Sequence, residues 1–228
     1  MNVPYVLRRG AFLSAGAILP ILLLQAWATP GQAAAPLALR NLAPRFGISG
    51  GLFLPTGDLV NSREPGESLQ MTQLTGSSCT GQLSISPWRR FGLEMSGQYI
   101  SSGVRLRATI DSSFSSSTDN PAHIVATTLK LVYRFYSSSD MRITLAVAGG
   151  PALVHRSGKI YDTETLSRSR TRLAAGLGLT ARRSLGTATF LRVDNAWAFF
   201  PYSPRQGIDT RWQRDMTLSV GLERTLTY

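Results

Sequence analysis

His155, Arg156 and Ser157 set an imidazole and a hydroxyl two residues apart, with Glu164 a short way downstream. On an extended strand, residues i and i+2 share a face. A Ser157 nucleophile and a His155 base could therefore meet there, with Glu164 to orient the ring, and the chemistry on offer would be hydrolysis. Plain polarity at the end of a strand explains the same residues more simply, because this spacing arises freely in sequences. His123 is the only other histidine, and Cys79 is the only cysteine. One thiol makes neither an internal disulfide nor a thiolate metal site. No phosphate loop or dinucleotide fingerprint is present, so the expectation is no metal, no cofactor and no enzyme activity.

A second set of reactive groups recurs at alternate positions: Glu94, Lys130, Arg134, Arg142, Arg172, Arg182, Arg192, Asp194 and Glu223. Counted from the nearest short turn, Glu94, Lys130, Arg192, Asp194 and Glu223 fall at similar depth. Buried charges must be paired to offset their desolvation, so this subset predicts an internal salt-bridge network. Glu223 is expected near Lys130 or Arg192.

The elements that position these residues are strands. Period-two runs occupy residues 46–54, 80–87, 91–101, 124–135, 141–153, 170–182, 187–199 and 215–228, eight in all. The closing run, TLSVGLERTLTY, sets Leu218, Val220, Leu222, Arg224, Leu226 and Tyr228 against Ser219, Gly221 and Glu223. Short links at 88–90, 136–140 and 183–186 alternate with long ones at 55–79, 102–123, 154–168 and 200–214. The long links are rich in Ser, Gly, Pro, Asp and Thr, as in DSSFSSSTDNP at 111–121, and read as loops.

Alternation alone does not say which face meets solvent. Here one face is aliphatic, and the other is mostly Gly, Ala, Ser and Thr with isolated charges. A soluble barrel would show water a face dense in Lys, Glu and Asp, whereas small residues suit the interior of a narrow barrel. The aliphatic face then belongs against lipid, and closure of the sheet satisfies the backbone there. Only 16% of residues are charged, against about 25% in a usual soluble domain. Aromatics gather near strand ends, with Phe46, Trp88, Phe91, Tyr133, Phe135 and Tyr228 toward the short turns and Tyr99, Trp197, Phe199 and Tyr202 toward the long links. Two such girdles mark two membrane interfaces.

The amino terminus fits export. Arg8 and Arg9 precede the apolar run AFLSAGAILPILLLQAWA, and small residues follow. This order reads as a cleaved secretory signal peptide at 1–33, ahead of a short segment at 34–44 and a barrel domain at 45–228. Pro20 and the Ala-rich exit argue against an uncleaved anchor. A formal charge of +11 points an exported chain toward anionic lipid or lipopolysaccharide, not nucleic acid. Arg105, Arg107, Arg156, Lys159, Arg168 and Arg170 lie in or beside the long links, where guanidiniums would face lipopolysaccharide phosphates.

From about residue 45 to the end, the chain resembles the small OmpA/OmpX-type outer-membrane β-barrel family. The marks are the first strand running into LPTGDL, the eight-strand rhythm and the aromatic ending an alternating strand. With OmpA itself the resemblance is confined to the barrel. The resemblance implies an all-β, eight-stranded antiparallel up-and-down transmembrane barrel in the outer membrane of a Gram-negative-type bacterium. It also implies that Tyr228 and Leu226 form the signal read by the barrel-assembly machinery. Arg224 departs from the apolar residue the family prefers, yet near an interface it can snorkel. The implied role is structural or surface-interacting, with the long loops open to an extracellular ligand. A narrow ion channel and a lipid A-modifying enzyme are the alternatives. The likeness to barrel lipid A deacylases ends quickly, because Gly158 stands where that family has Asn.

Overall fold

A computed structural model describes residues 44–56, 58–64, 67–87, 90–110, 114–159, 171–202 and 211–226. The signal peptide at 1–33, nearly all of the segment at 34–44, Trp88, Glu164, Arg168, Arg170 and Tyr228 lie outside the described residues. Ten strands form one antiparallel sheet: β1 (Arg45–Thr56), β2 (Asp58–Glu64), β3 (Glu67–Gln73), β4 (Gly76–Ile85), β5 (Phe91–Ile110), β6 (Phe114–Ser138), β7 (Ile143–Ser157), β8 (Thr171–Ser184), β9 (Thr189–Tyr202) and β10 (Arg211–Thr225). From β4 onward each strand pairs with the next, β10 pairs with β1, and β1 pairs with β4. The sheet is thus a closed barrel, and the ring passes through every strand except β2 and β3.

Among the described residues the sheet has ten strands against the eight runs expected, and the two outside the ring come from a long link. Residues 55–79 hold a hairpin, β2–β3, whose second strand pairs with the far half of β5, from Glu67 opposite Ile110 to Gln73 opposite Val104. The link at 102–123 is not a loop either. β5 and β6 continue through it as one ladder, from Phe91 opposite Tyr133 to Ile110 opposite Phe114. These strands are 20 and 25 residues long, roughly twice the 9–11 residues that cross a bilayer. The hairpin and the far halves of β5 and β6 therefore form a sheet extending beyond one end of the barrel.

Along β5 the solvation pattern reverses. Below Tyr99 the outward positions are apolar (Leu93, Met95) and the inward ones polar (Glu94, Ser96). Above it Arg105 and Arg107 point outward, and Ile100 and Val104 are buried. β6 does the same: Leu131 and Leu129 are exposed beside buried Lys130, then Asp119 and Ser117 are exposed and Ala122 and Ile124 buried. The side chains alternate on, so the backbone phase holds while the outward face changes from apolar to polar.

β7 begins at Ile143, two residues after the expected start, because residues 139–142 make a turn that Arg142 enters at φ 53°. Arg142 is exposed there instead of facing inward. A bulge between Arg134 and Tyr136 in the β6–β7 ladder leaves Phe135 and Tyr136 both on the surface.

Candidate functional site

The inward face of the barrel has two parts. Toward the long links, Phe53, Ile100, Val104, Ala122, Ile124, Ala152, Val154 and Phe200 form an apolar core, joined by Leu59 and Met71 from the hairpin. Toward the short turns the interior is ionic. Gly and Ala on the inward positions of β7 and β8 leave room there for long charged side chains from β5, β9 and β10.

Arg192 is the hub of the ionic part. Its Nη1 and Nη2 donate to Glu94 Oε2 and Oε1 at 2.7 and 3.0 Å, a bidentate pair. Its Nε donates to Asp194 Oδ2 at 2.6 Å, and Nη1 also reaches Glu223 Oε2 at 3.0 Å. Arg182 supplies the second cation, with Nε 2.9 Å from Glu223 Oε2 and Nη2 3.4 Å from Glu94 Oε2. Thr180 donates to Asp194 Oδ1 at 2.7 Å. The Gln82 amide lies beside the hub, and with its oxygen and nitrogen exchanged the oxygen would accept from Arg192 Nε and Nη1 at 2.9 and 3.0 Å. Glu94, Arg192 and Glu223 are each at most 2% exposed. Cross-links of this kind join β4, β5, β8, β9 and β10 through side chains as well as backbone.

Of the five residues expected in the network, Glu94, Arg192, Asp194 and Glu223 converge, and Glu223 lies on Arg192. Lys130 is buried opposite Glu94 in the β5–β6 ladder, but the contacts of Glu94 at ion-pair distance are to Arg182 and Arg192. Arg182 was the member missed at depth. It sits near the end of β8, but its long side chain reaches back into the barrel. Between the network and the apolar core lies a cavity of about 60 Å³, room for a few waters.

Arg156 corrects a second expectation. Placed in a long link, it was to face lipopolysaccharide; it is instead 1% exposed inside the barrel. β7 runs on through Ser157, so strand alternation carries Arg156 inward. There its Nη2 donates to Asp215 Oδ2 at 2.5 Å, and its guanidinium lies 4.5 Å from the centre of the Phe200 ring. Asp215 went unnoticed because the sequence shows no partner for it; the partner comes from three strands away around the ring, on β7.

The remaining rim cations differ among themselves. Arg105, Arg107 and Lys159 are exposed. Arg105 makes two bonds to Asp119 across the extended β5–β6 ladder, Nε to Oδ1 at 2.8 Å and Nη2 to Oδ2 at 2.9 Å. That hydrogen bonding holds the Asp119 carboxyl below its ordinary pKa. The His155 and Ser157 pair does not form a dyad. His155 Nδ1 lies 2.8 Å from Thr171 Oγ1 on the neighbouring strand, and Ser157 Oγ faces the His123 carbonyl at 3.5 Å. At the closing strand, the Leu226 amide donates to the Pro44 carbonyl at 2.8 Å, and Arg224 is exposed on the outer face.

The outer face is the inverse of the interior. Ile48, Leu52, Leu93, Leu129, Leu131, Val147, Leu153, Leu173, Leu177, Leu179, Val193, Leu218, Val220 and Leu222 are all exposed. Contiguous apolar surface on this scale does not face water in a monomer. Phe91 and Tyr133 pack at 5.1 Å between ring centres near the short turns, and Tyr99 stacks on His123 toward the other end.

No protein-family model matches the chain, and comparison with characterised protein sequences finds no match. Solved structures do match. The outer membrane protein OprG from Pseudomonas aeruginosa aligns with a TM-score of 0.56 at 9% identity, over 82% of this chain and 98% of that one. Neisserial surface protein A aligns with a TM-score of 0.51 at 11% identity, over 81% and 97%. The likeness is one of fold. Sequences this different thus reach a shared architecture.

Proposed function

We propose that this protein is an integral outer-membrane barrel of eight membrane-crossing strands, with a structural or surface-interacting role and a lumen closed by salt bridges. The observation that carries the reading is the inverted solvation: leucines and valines outside, paired arginines and glutamates inside. The fold it shares with the outer membrane protein OprG and with Neisserial surface protein A supports the location. The reversal of pattern near Tyr99 and Val125 marks the level where hydrocarbon gives way to water, and the sheet beyond it stands free for contact. Arg105, Arg107 and Lys159, together with Arg168 and Arg170, are proposed to face lipopolysaccharide on that side. Leu226 and Tyr228 are proposed as the signal for the assembly machinery, and 1–33 as a cleaved leader.

Two measurements test the reading. Leu177, 50% exposed at the middle of β8, is proposed to sit near the bilayer midplane. Leu177→Arg should lower the free energy of folding into lipid vesicles by about 2–4 kcal/mol. A change within about 0.5 kcal/mol, as at an ordinary surface site, would place this face in water. Secondly, the refolded barrel should leave planar bilayers without unitary conductance steps, since the network and apolar core fill the lumen. Reproducible steps would replace the closed-lumen reading with the narrow channel.

A further inference from the structure

The short-turn mouth of the barrel opens into a vestibule of about 800 Å³ that the salt-bridge network does not fill. Arg45, Arg90, Arg134 and Arg182 line it, with no carboxylate among the described lining residues. Ser137, Ser139 and Thr144 add hydroxyls, and Phe135, Tyr136 and Phe190 add rings. Glu223 lies behind this wall, where Arg182 and Arg192 take its Oε2, and Arg45 Nη1 is only within 3.6 Å of Oε1. Arg45 is braced by its position 4.7 Å over the Phe190 ring, yet its buried Nε has no hydrogen-bond partner. Arg134 is braced in turn by a hydrogen bond to Ser86.

Four guanidiniums around one hollow repel each other unless negative charge lies between them. Glu223, behind the wall, is shared by Arg45, Arg182 and Arg192, so positive charge at this mouth outnumbers the carboxylate beside it and an anion is attracted there. Guanidiniums present planar forks that match phosphate oxygens bidentately, and hydroxyls supply further donors. The volume is that of an ordinary small-molecule site. We infer that the vestibule binds a phosphate group bearing more than one negative charge or oxygen face. Two sources share this chemistry: a soluble phosphate compound, or the headgroup of an anionic phospholipid in the adjoining leaflet.

The test is equilibrium dialysis of labelled inorganic pyrophosphate against the full chain refolded in zwitterionic detergent. Saturable binding at one site is expected, and Arg45→Gln with Arg90→Gln should weaken it at least tenfold. Arg183→Gln with Arg224→Gln removes the same charge from exposed positions outside the vestibule, and should leave binding within twofold. Retention of secondary structure on heating shows whether each variant folds. If the first pair does not fold, Arg90→Gln alone, at an exposed turn position, should still weaken binding three- to fivefold. Nanodiscs separate the sources. Binding that persists equally in phosphatidylcholine and phosphatidylglycerol discs assigns the site to a soluble phosphate, and binding lost only in phosphatidylglycerol discs assigns it to the headgroup. Absence of saturable binding in detergent, or equal loss in both variant pairs, would overturn the inference.

Discussion

Arg192→Met should destabilise the barrel by about 3–5 kcal/mol, because it strips the shared cation from three buried carboxylates. Glu94, Asp194 and Glu223 all bond Arg192 at 2.6–3.0 Å. In its absence Arg182 still reaches Glu94 and Glu223, but none of the ion pairs of Asp194 survives, leaving only the Thr180 hydroxyl. Removing the charge from both sides of one pair is less costly than stranding one side of it. The double variant Glu94→Gln, Arg192→Met should therefore be more stable than the sum of the single losses, by at least about 1 kcal/mol of coupling. Equilibrium unfolding in guanidinium chloride, with the barrel in detergent or vesicles, measures both quantities. Arg105→Met serves as the exposed comparison, since its pair with Asp119 lies in water and such pairs contribute roughly 0–1 kcal/mol. A loss at Arg192 as small as that at Arg105 would mean that water, not Arg192, solvates these carboxylates.

The network was partly legible because strand alternation fixes facing. Glu94, Arg192, Asp194 and Glu223 each occupy an inward position of a run whose other face is aliphatic, and facing plus depth was enough to bring them together. Arg182 was missed because depth was counted at the backbone, while an arginine side chain spans more than one residue step along a strand. Arg156 was misplaced for a different reason. Its strand was thought to end at Leu153, where the aliphatic face stops being aliphatic, although the ladder continues to Ser157. The same error shortened β5 and β6 and turned their far halves into loops. Val104-Arg105-Leu106-Arg107 alternates as cleanly as Leu93-Glu94-Met95-Ser96, with the opposite face apolar. A reading that follows one greasy face through a sequence stops where that face leaves the lipid, though the backbone does not. The hairpin β2–β3 was hidden more deeply, since its pairing with β5 lies in tertiary structure and its residues carry little apolar periodicity.

Gly51→Leu and Gly221→Leu should each keep the barrel from closing. β1 and β10 are the first and last strands, and they meet along twelve residue pairs from Arg45–Thr225 to Thr56–Arg214. At this seam a Cβ on Gly51 would lie 2.1 Å from the Leu218 carbonyl oxygen, and one on Gly221 would lie 2.1 Å from that of Ile48. Both obstacles are backbone atoms of the opposite strand, so no rotamer change relieves them. The cost should exceed the ~1–3 kcal/mol of ordinary overpacking, because relief requires parting the strands themselves. Gly81 and Gly97 face each other across β4 and β5 with open space where a Cβ would go. Alanine at either of those positions should change stability by less than about 0.5 kcal/mol. Heat-modifiable migration on a gel reports closure directly: the seam variants should run largely as unfolded chain after refolding, and the Gly81 and Gly97 variants as wild type. The seam is also the pairing of greatest sequence separation in the ring, so closing it carries the largest loop-closure entropy. A sheet stopped short of it keeps two open edges, whose unpaired backbone groups each cost several kcal/mol in hydrocarbon. Failure at two small residues should therefore appear as loss of the inserted barrel, not as a local defect. Wild-type migration of both seam variants would show instead that β1 and β10 can separate enough to accept a side chain without losing closure.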